Sequence, residues 1–276
     1  MKNPFAFTLL GQTCLFVALL LGGCSKENDP APAQPSCRII KSNSVSGSSN
    51  FTTRYTYDRE NRLTESVTDV ETRKQSNSSY QYNQKGQLSG YITQDYRYDG
   101  ASNVTVITRT YTVEYNEKGQ VSGYQLSTTS TDPAMLPSTS TSTYEYDSQG
   151  NRTRSTTQSG SNAPFVDLHE YKDGNCIKTT FRAGEPGAAI VTYEHYLDQE
   201  SKSRHLAHVG VFGPSASKNM VKKTTQTIAG DPNYVFVSER TYEFNDKGFP
   251  VRTSVTSTSS SGSTSTSVST SEYACR

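Results

Sequence analysis

Beyond residue 36 the chain is a succession of short segments in which bulky and polar residues alternate with a period of two. That spacing predicts strands with one covered face and one wet face. Tyr55 and Tyr57, Tyr80 and Tyr82, and Tyr144 and Tyr146 stand two apart and so share a face. From Leu88 onward, Leu88, Ile92, Tyr96 and Tyr98 are assigned to one side, and Gln87, Ser89, Asp95 and Arg97 to the other. Tyr234, Phe236, Tyr242 and Phe244 oppose Glu239, Thr241 and Glu243 in the same way. Such alternation marks antiparallel sheet, because parallel sheet is covered on both faces.

Turn signals punctuate these segments at regular places. The pattern runs Tyr55-Thr-Tyr-Asp-Arg-Glu-Asn-Arg-Leu63, Tyr80-Gln-Tyr-Asn-Gln-Lys-Gly-Gln-Leu88, Val113-Glu-Tyr-Asn-Glu-Lys-Gly-Gln-Val121, Tyr144-Glu-Tyr-Asp-Ser-Gln-Gly-Asn-Arg152 and Tyr242-Glu-Phe-Asn-Asp-Lys-Gly-Phe-Pro250. Looser copies begin at Tyr96 and His169. The Asp or Asn side chain accepts from backbone N–H groups two residues on and starts a turn. The Gly three residues later supplies the positive φ of a type I turn with a bulge, and Asn61 takes that place in the first copy. Between these turns lie looser breaks, from Ser46 to Asn50, Arg73 to Gln75, Asp99 to Ser102, Asp132 to Pro137, Ser161 to Ala163, Ala183 to Gly187, Gly230 to Asn233 and Ser260 to Gly262. The two kinds alternate, which predicts an all-β meander of about sixteen strands with the tight turns at one end; a sheet so wide curls, splits into two layers or closes into a barrel. One connection, Leu197 to Ser217, is long enough to suggest function rather than mere linkage.

The first residues read differently. A basic start at Lys2, an apolar run from Phe5 to Leu21 interrupted by Gly11-Gln12-Thr13, and small residues before Cys24 make a secretory signal too short to span a bilayer. Leu21-Gly22-Gly23-Cys24 resembles the lipobox of bacterial lipoproteins, which implies removal of 1–23 and acylation of Cys24. Ser25-Lys26-Glu27-Asn28-Asp29 resembles the acidic tether that carries lipoproteins of Bacteroidota to the outer face of the outer membrane. Residues 24–36 therefore read as an extended tether, and 37–276 as the folded domain with an insertion at 198–217.

Composition narrows the function. Hydrophobic residues make up 32% and mean hydropathy is −0.69, which argues against a thick two-sided core. Eighteen Tyr with abundant Thr favour strand over disorder. A formal net charge of +1 argues against capture of nucleic acid. Beside Cys14 and Cys24 the chain has Cys37, Cys176 and Cys275, which allow three pairings. On the meander, Cys37 and Cys275 come within the roughly 7 Å that a disulfide needs only if the sheet curls or closes. No Gly-x-Ser-x-Gly and no phosphate-cradling Gly loop is present, and His205 and His208 read as a solvated loop rather than a zinc site. No catalytic residue, metal site or cofactor is expected. Tyr91 and Tyr124 are the candidate positions for stacking on a ligand, against the plainer expectation that the tyrosines form the covered face of the sheet.

The Tyr-x-Tyr-Asp-x-x-Gly-Asn/Gln motif resembles the YD (Rhs-type) repeat, and together with the lipobox the layout is similar to lipoproteins of Bacteroidota that carry such repeats. Ser217-Lys218-Asn219-Met220-Val221 and the terminal Tyr273 to Cys275 fit that resemblance. It implies architecture but no catalytic residues; YD repeats serve as shells in large toxins and accompany carbohydrate binding or adhesion in surface proteins. The expectation is a non-enzymatic surface lipoprotein that binds or scaffolds, with the membrane held through its N-terminal lipid and a glycan or surface protein as partner. The alternative is an extracellular polymer hydrolase with the 198–217 insertion at the active-site rim. A porin-like membrane barrel is disfavoured because strands such as Ser263 to Ser271 lack an apolar outer band.

Overall fold

The computed structural model describes residues 37–99, 103–202 and 217–275. The signal, Cys24 and its tether, the core of the long insertion with His205 and His208, and Arg276 lie outside the described residues. Sixteen strands follow one another: β1 Cys37–Ser46, β2 Ser49–Tyr57, β3 Leu63–Val70, β4 Arg73–Tyr82, β5 Leu88–Asp99, β6 Asn103–Tyr115, β7 Val121–Ser130 and β8 Ser138–Tyr146 in the first half. The second half holds β9 Arg152–Ser159, β10 Phe165–Lys172, β11 Asn175–Phe181, β12 Ala189–Glu200, β13 Asn219–Ile228, β14 Asp231–Phe244, β15 Pro250–Ser259 and β16 Thr264–Cys275. Each pairs antiparallel with its sequence neighbours, and β1 pairs with β16, so the sheet closes into a barrel.

The tight turns form because one Asx side chain satisfies two backbone donors. Asn83 Oδ1 accepts from the N–H of Lys85 at 2.9 Å and of Gln87 at 3.0 Å, while its carbonyl accepts from Gly86 N–H. Asp58, Asn116, Asp147 and Asn245 do the same. The fourth residue of each turn is left-handed, with φ of 75° at Gly86 and 62° at Asn61. An L side chain is strained there, hence Gly or Asn.

Just past each turn the register slips by one residue. Gln81 pairs with Gly90, yet Tyr82 pairs with Leu88, leaving Ser89 as the extra residue of a bulge on the outgoing strand. The slip recurs at Tyr57, Tyr115, Tyr146, Tyr171, His195 and Phe244. It corrects the facing of β5. Leu88 and Tyr91, three apart, share a face, and Ile92, Tyr96 and Tyr98 lie on the opposite face from Leu88, because the bulge reverses the alternation between Leu88 and Gly90. The copy beginning at Tyr96 likewise belongs to the other end of the barrel, where β5 runs into the looser connection before β6. The first strand after Val70 begins at Arg73, so that break lies at 71–72, slightly earlier than the expected Arg73 to Gln75.

Covered and wet faces correspond to inside and outside. The buried side chains Leu88, Tyr91, Ile107, Val113, Ser142 and Thr179 all lie on the tyrosine face, the covered side of the closed sheet, where Tyr91 and Tyr111 of adjacent strands stack with centroids 4.2 Å apart. The outer face carries exposed cross-strand ion pairs such as Lys41–Glu272, Lys178–Glu170 and Arg252–Glu243. Each of these pairs lies within a few residues of the tight-turn end, so the charges ring that end of the barrel. Sixteen strands at ordinary spacing and tilt enclose an interior far wider than side chains fill, with a wall radius of roughly 15 Å. The buried side chains, among them Leu63, Leu88, Ile107, Ser142 and Thr179, line the inward wall rather than filling a central core of large apolar residues.

Candidate functional site

The lumen wall is the concave surface on which the repeats place their side chains. At the tight-turn end the second aromatic of each repeat forms a belt. The ladder between consecutive hairpins stops short of this end, and the belt hydroxyls replace the missing backbone bonds. Tyr82 Oη donates to the Leu63 carbonyl at 2.9 Å, Tyr115 to Leu88 at 2.9 Å and Tyr146 to Val121 at 2.6 Å. Tyr57 donates to Ile39 at 2.8 Å and Tyr273 to Pro250 at 3.0 Å. In the Phe244 repeat the first aromatic does this work, Tyr242 donating to Val221 at 2.8 Å.

Tyr80, Tyr91, Tyr111, Tyr124 and Tyr144 form a ladder across β4 to β8. Tyr91, 7% exposed, is sandwiched between Tyr80 at 5.7 Å and Tyr111 at 4.2 Å, and Tyr124 lies between Tyr111 at 5.8 Å and Tyr144 at 6.3 Å. Both ring faces of Tyr91 are thus occupied by other tyrosines. With Leu88 and Val113 these rings make up the hydrophobic cluster of the barrel. Burial drives the ladder phenols upward, Tyr91 and Tyr144 far beyond the usual range, and Tyr57 in the belt rises to about 12.

The next sector is polar yet buried. His169 on β10 lies between Ser155 Oγ, 3.4 Å from Nε2, and Thr179 Oγ1, 3.1 Å from Nδ1. Cys176 Sγ, at 3.7 Å, and Tyr193 Oη, at 3.4 Å, reach the same Thr179 hydroxyl, which is fully buried. Desolvation, and secondarily the Arg152 guanidinium, hold the imidazole down to about 4, so it is neutral at physiological pH. The array places a serine beside a histidine, but a threonine occupies the position from which a carboxylate would support an imidazolium, and so low a pKa makes a poor general base. Burial pushes the Cys176 thiol up, away from reactive thiolate. Among the described residues no cluster of three metal-ligating side chains occurs.

The opposite sector is lined by small hydroxyls. Ser267, Ser269 and Ser271 of β16 face Ser46, Ser44 and Ser42 of β1, with Ser269 Oγ donating to Ser44 Oγ at 3.0 Å. On the outer wall Thr110, Thr112, Gln125, Ser127, Thr139 and Thr141 line a shallow groove of about 330 Å³ without charge or aromatic platform. Cys37 and Cys275 are disulfide-bonded, and Cys176 is a free, buried thiol. The sequence pattern missed two repeat positions, Tyr193-Glu194-His195 and Glu272-Tyr273, because neither is followed by Asx-x-x-Gly. The signal that could have revealed them is the Glu before the aromatic, shared with 114, 145, 170 and 243.

No family model matches this sequence, and no curated protein does. Among solved structures, a porin-like protein from Bacteroides uniformis matches with a TM-score of 0.47 at 12% identity, covering 86% of this chain and 98% of that one. A porin-like protein from Bacteroides vulgatus matches with a TM-score of 0.43 at 11% identity over the same shares. A chain in the complex TcdB2-TccC3-Cdc42 matches at 0.27 and 12% identity, covering 78% of this chain but 14% of its own.

Proposed function

We propose that the protein is a lipoprotein held at the outer membrane through acylated Cys24, whose hydrated lumen binds a neutral, hydroxyl-rich ligand, a glycan first of all, without catalysis. The observation that carries the reading is the serine-lined wall where β16 meets β1, with three facing serine pairs open to the lumen and no apolar residue among them. Paired small hydroxyls donate and accept equally, which suits a sugar, whereas a charged ligand calls for a fixed charge. The polar outer wall supports a barrel that stands in water, with the membrane reached by lipid alone. The neutral, buried Ser155–His169–Thr179 array favours structure over hydrolysis.

The test is a glycan array followed by titration calorimetry on the chain from residue 25 onward. A bound glycan should be lost in Ser44→Tyr and Ser269→Tyr, which fill the lumen beside the serine wall, and kept in Thr256→Tyr on the outer face. A folded protein that binds no glycan, or a turnover abolished by one side-chain change, would overturn the proposal.

A further inference from the structure

We infer that the Cys37–Cys275 disulfide is a latch: oxidation fastens the tight-turn end of the β1–β16 seam, and reduction frees that seam while the other fifteen ladders stay paired. The inference does not rest on the ligand reading. The seam repeats the geometry of the hairpin joints. Lys41 pairs with Glu272 and Ile39 with Tyr273, so one residue is extra on the outgoing strand, as at Tyr82 and Leu88. In a hairpin five turn residues join the aromatic to its partner, Asp58 to Arg62 between Tyr57 and Leu63 for example. At the seam Cys275 and Cys37 stand two residues from Tyr273 and Ile39, and the disulfide occupies the place of the turn. The two cysteines are 238 residues apart in sequence.

No residue of β1 or β16 is buried. The β5–β6 ladder, in contrast, carries buried Leu88, Tyr91, Ile107 and Val113. Inside, serines line the seam from Ser42 to Ser46, with Ile39 facing Tyr273 beside the disulfide; outside it has Val45 facing Val268 and the exposed Lys41–Glu272 pair. Backbone bonds with little apolar burial behind them open first. The covalent link therefore lies within the arc from β15 to β2, in which no residue is buried.

Closure is a two-electron oxidation. The thiolate of one cysteine attacks the disulfide of a protein or small-molecule disulfide oxidant, and the second displaces it from the mixed disulfide. Two electrons and two protons leave on the oxidant as its dithiol, and a dithiol reductant reverses the step. Cys176, buried on β11, is remote in the strand order and takes no part.

Hydrogen exchange on the chain from residue 25 onward, oxidised and then treated with a small dithiol, tests this. Protection at Arg38–Asn43 and Ser269–Cys275 should fall about tenfold or more on reduction, with Leu88–Val113 unchanged. The Cys37→Ser, Cys275→Ser double variant should show the same local loss without reductant. Should that variant not fold, a circular permutant decides: an Asn-Glu-Lys-Gly-Gln turn joins Glu272-Tyr273 to Ile39, with new termini within 131–137. Its seam should keep protection in reductant. Seam protection unchanged by reduction, a uniform loss across all ladders, or a permutant whose seam still opens with dithiol would each overturn the latch.

Discussion

The wall from β4 to β8 and the wall around β16 and β1 share one ladder geometry yet are stabilised by different means. The first is held by side chains: five tyrosines in mutual contact, backed by Leu88 and Val113. The second has serines at the equivalent inward positions and a disulfide at its end. A closed sheet lets packing be concentrated on one arc, because closure ties the thin arc to the thick one through continuous backbone pairing. The thin arc is then free to keep an accessible, polar interior.

Substitutions on the two arcs separate these contributions. Tyr91→Ala removes a ring sandwiched between two others and should cost about 3–5 kcal/mol, read as a shift in the denaturant midpoint. If it costs no more than a surface change, the ladder is not the stabilising arc.

The next largest effect is that of alkali. Phenols such as Tyr57, Tyr91, Tyr111 and Tyr144 are raised by burial, so between their unfolded value near 10 and the folded value, about 12 for Tyr57, the folded chain holds protons that the unfolded chain has lost. Stability is therefore full below about pH 10 and falls as pH rises through 12. Melting temperatures across that range should drop steeply, and less so in Tyr91→Phe.

Acid probes the buried polar sector between the two arcs. The His169 imidazole, lowered from about 6.5 to about 4, stays neutral in the fold while its unfolded counterpart takes a proton. Stability is thus lost as pH falls from 6.5 through 4, and His169→Gln should flatten that limb of the profile. Tyr82→Phe deletes the bond to the Leu63 carbonyl and should cost about 1 kcal/mol. Ser267→Ala on the thin arc should stay within about 0.5 kcal/mol, the smallest change of the series.

The antiparallel meander was readable from residues alone because its determinants are local. Asn83 and Gly86 specify a turn within five residues, and the alternation of Tyr80 and Tyr82 specifies a shared face. The facing of Tyr91 was not readable, since the bulge at Ser89 is a matter of register against Gln81, a residue of the neighbouring strand. The serine wall was not legible in the sequence for a related reason. Ser42 to Ser46 and Ser267 to Ser271 look like generic polar strand until closure sets them opposite each other. The role of the second aromatic also needed the fold, because Tyr82 and Leu63 lie 19 residues apart and meet only between hairpins.

Sequence by itself therefore determined the repeating unit, the turn chemistry, the strand count and the division into a tyrosine face and a Ser/Thr/charged face. Each follows from interactions among residues a few positions apart. Tertiary structure decided that the sheet closes, that the tyrosine face is the inside, and that one arc carries packing while the other carries hydroxyls. Those outcomes depend on register across strands and on a contact between Cys37 and Cys275 over nearly the whole folded chain, and no local pattern encodes a pairing at that distance.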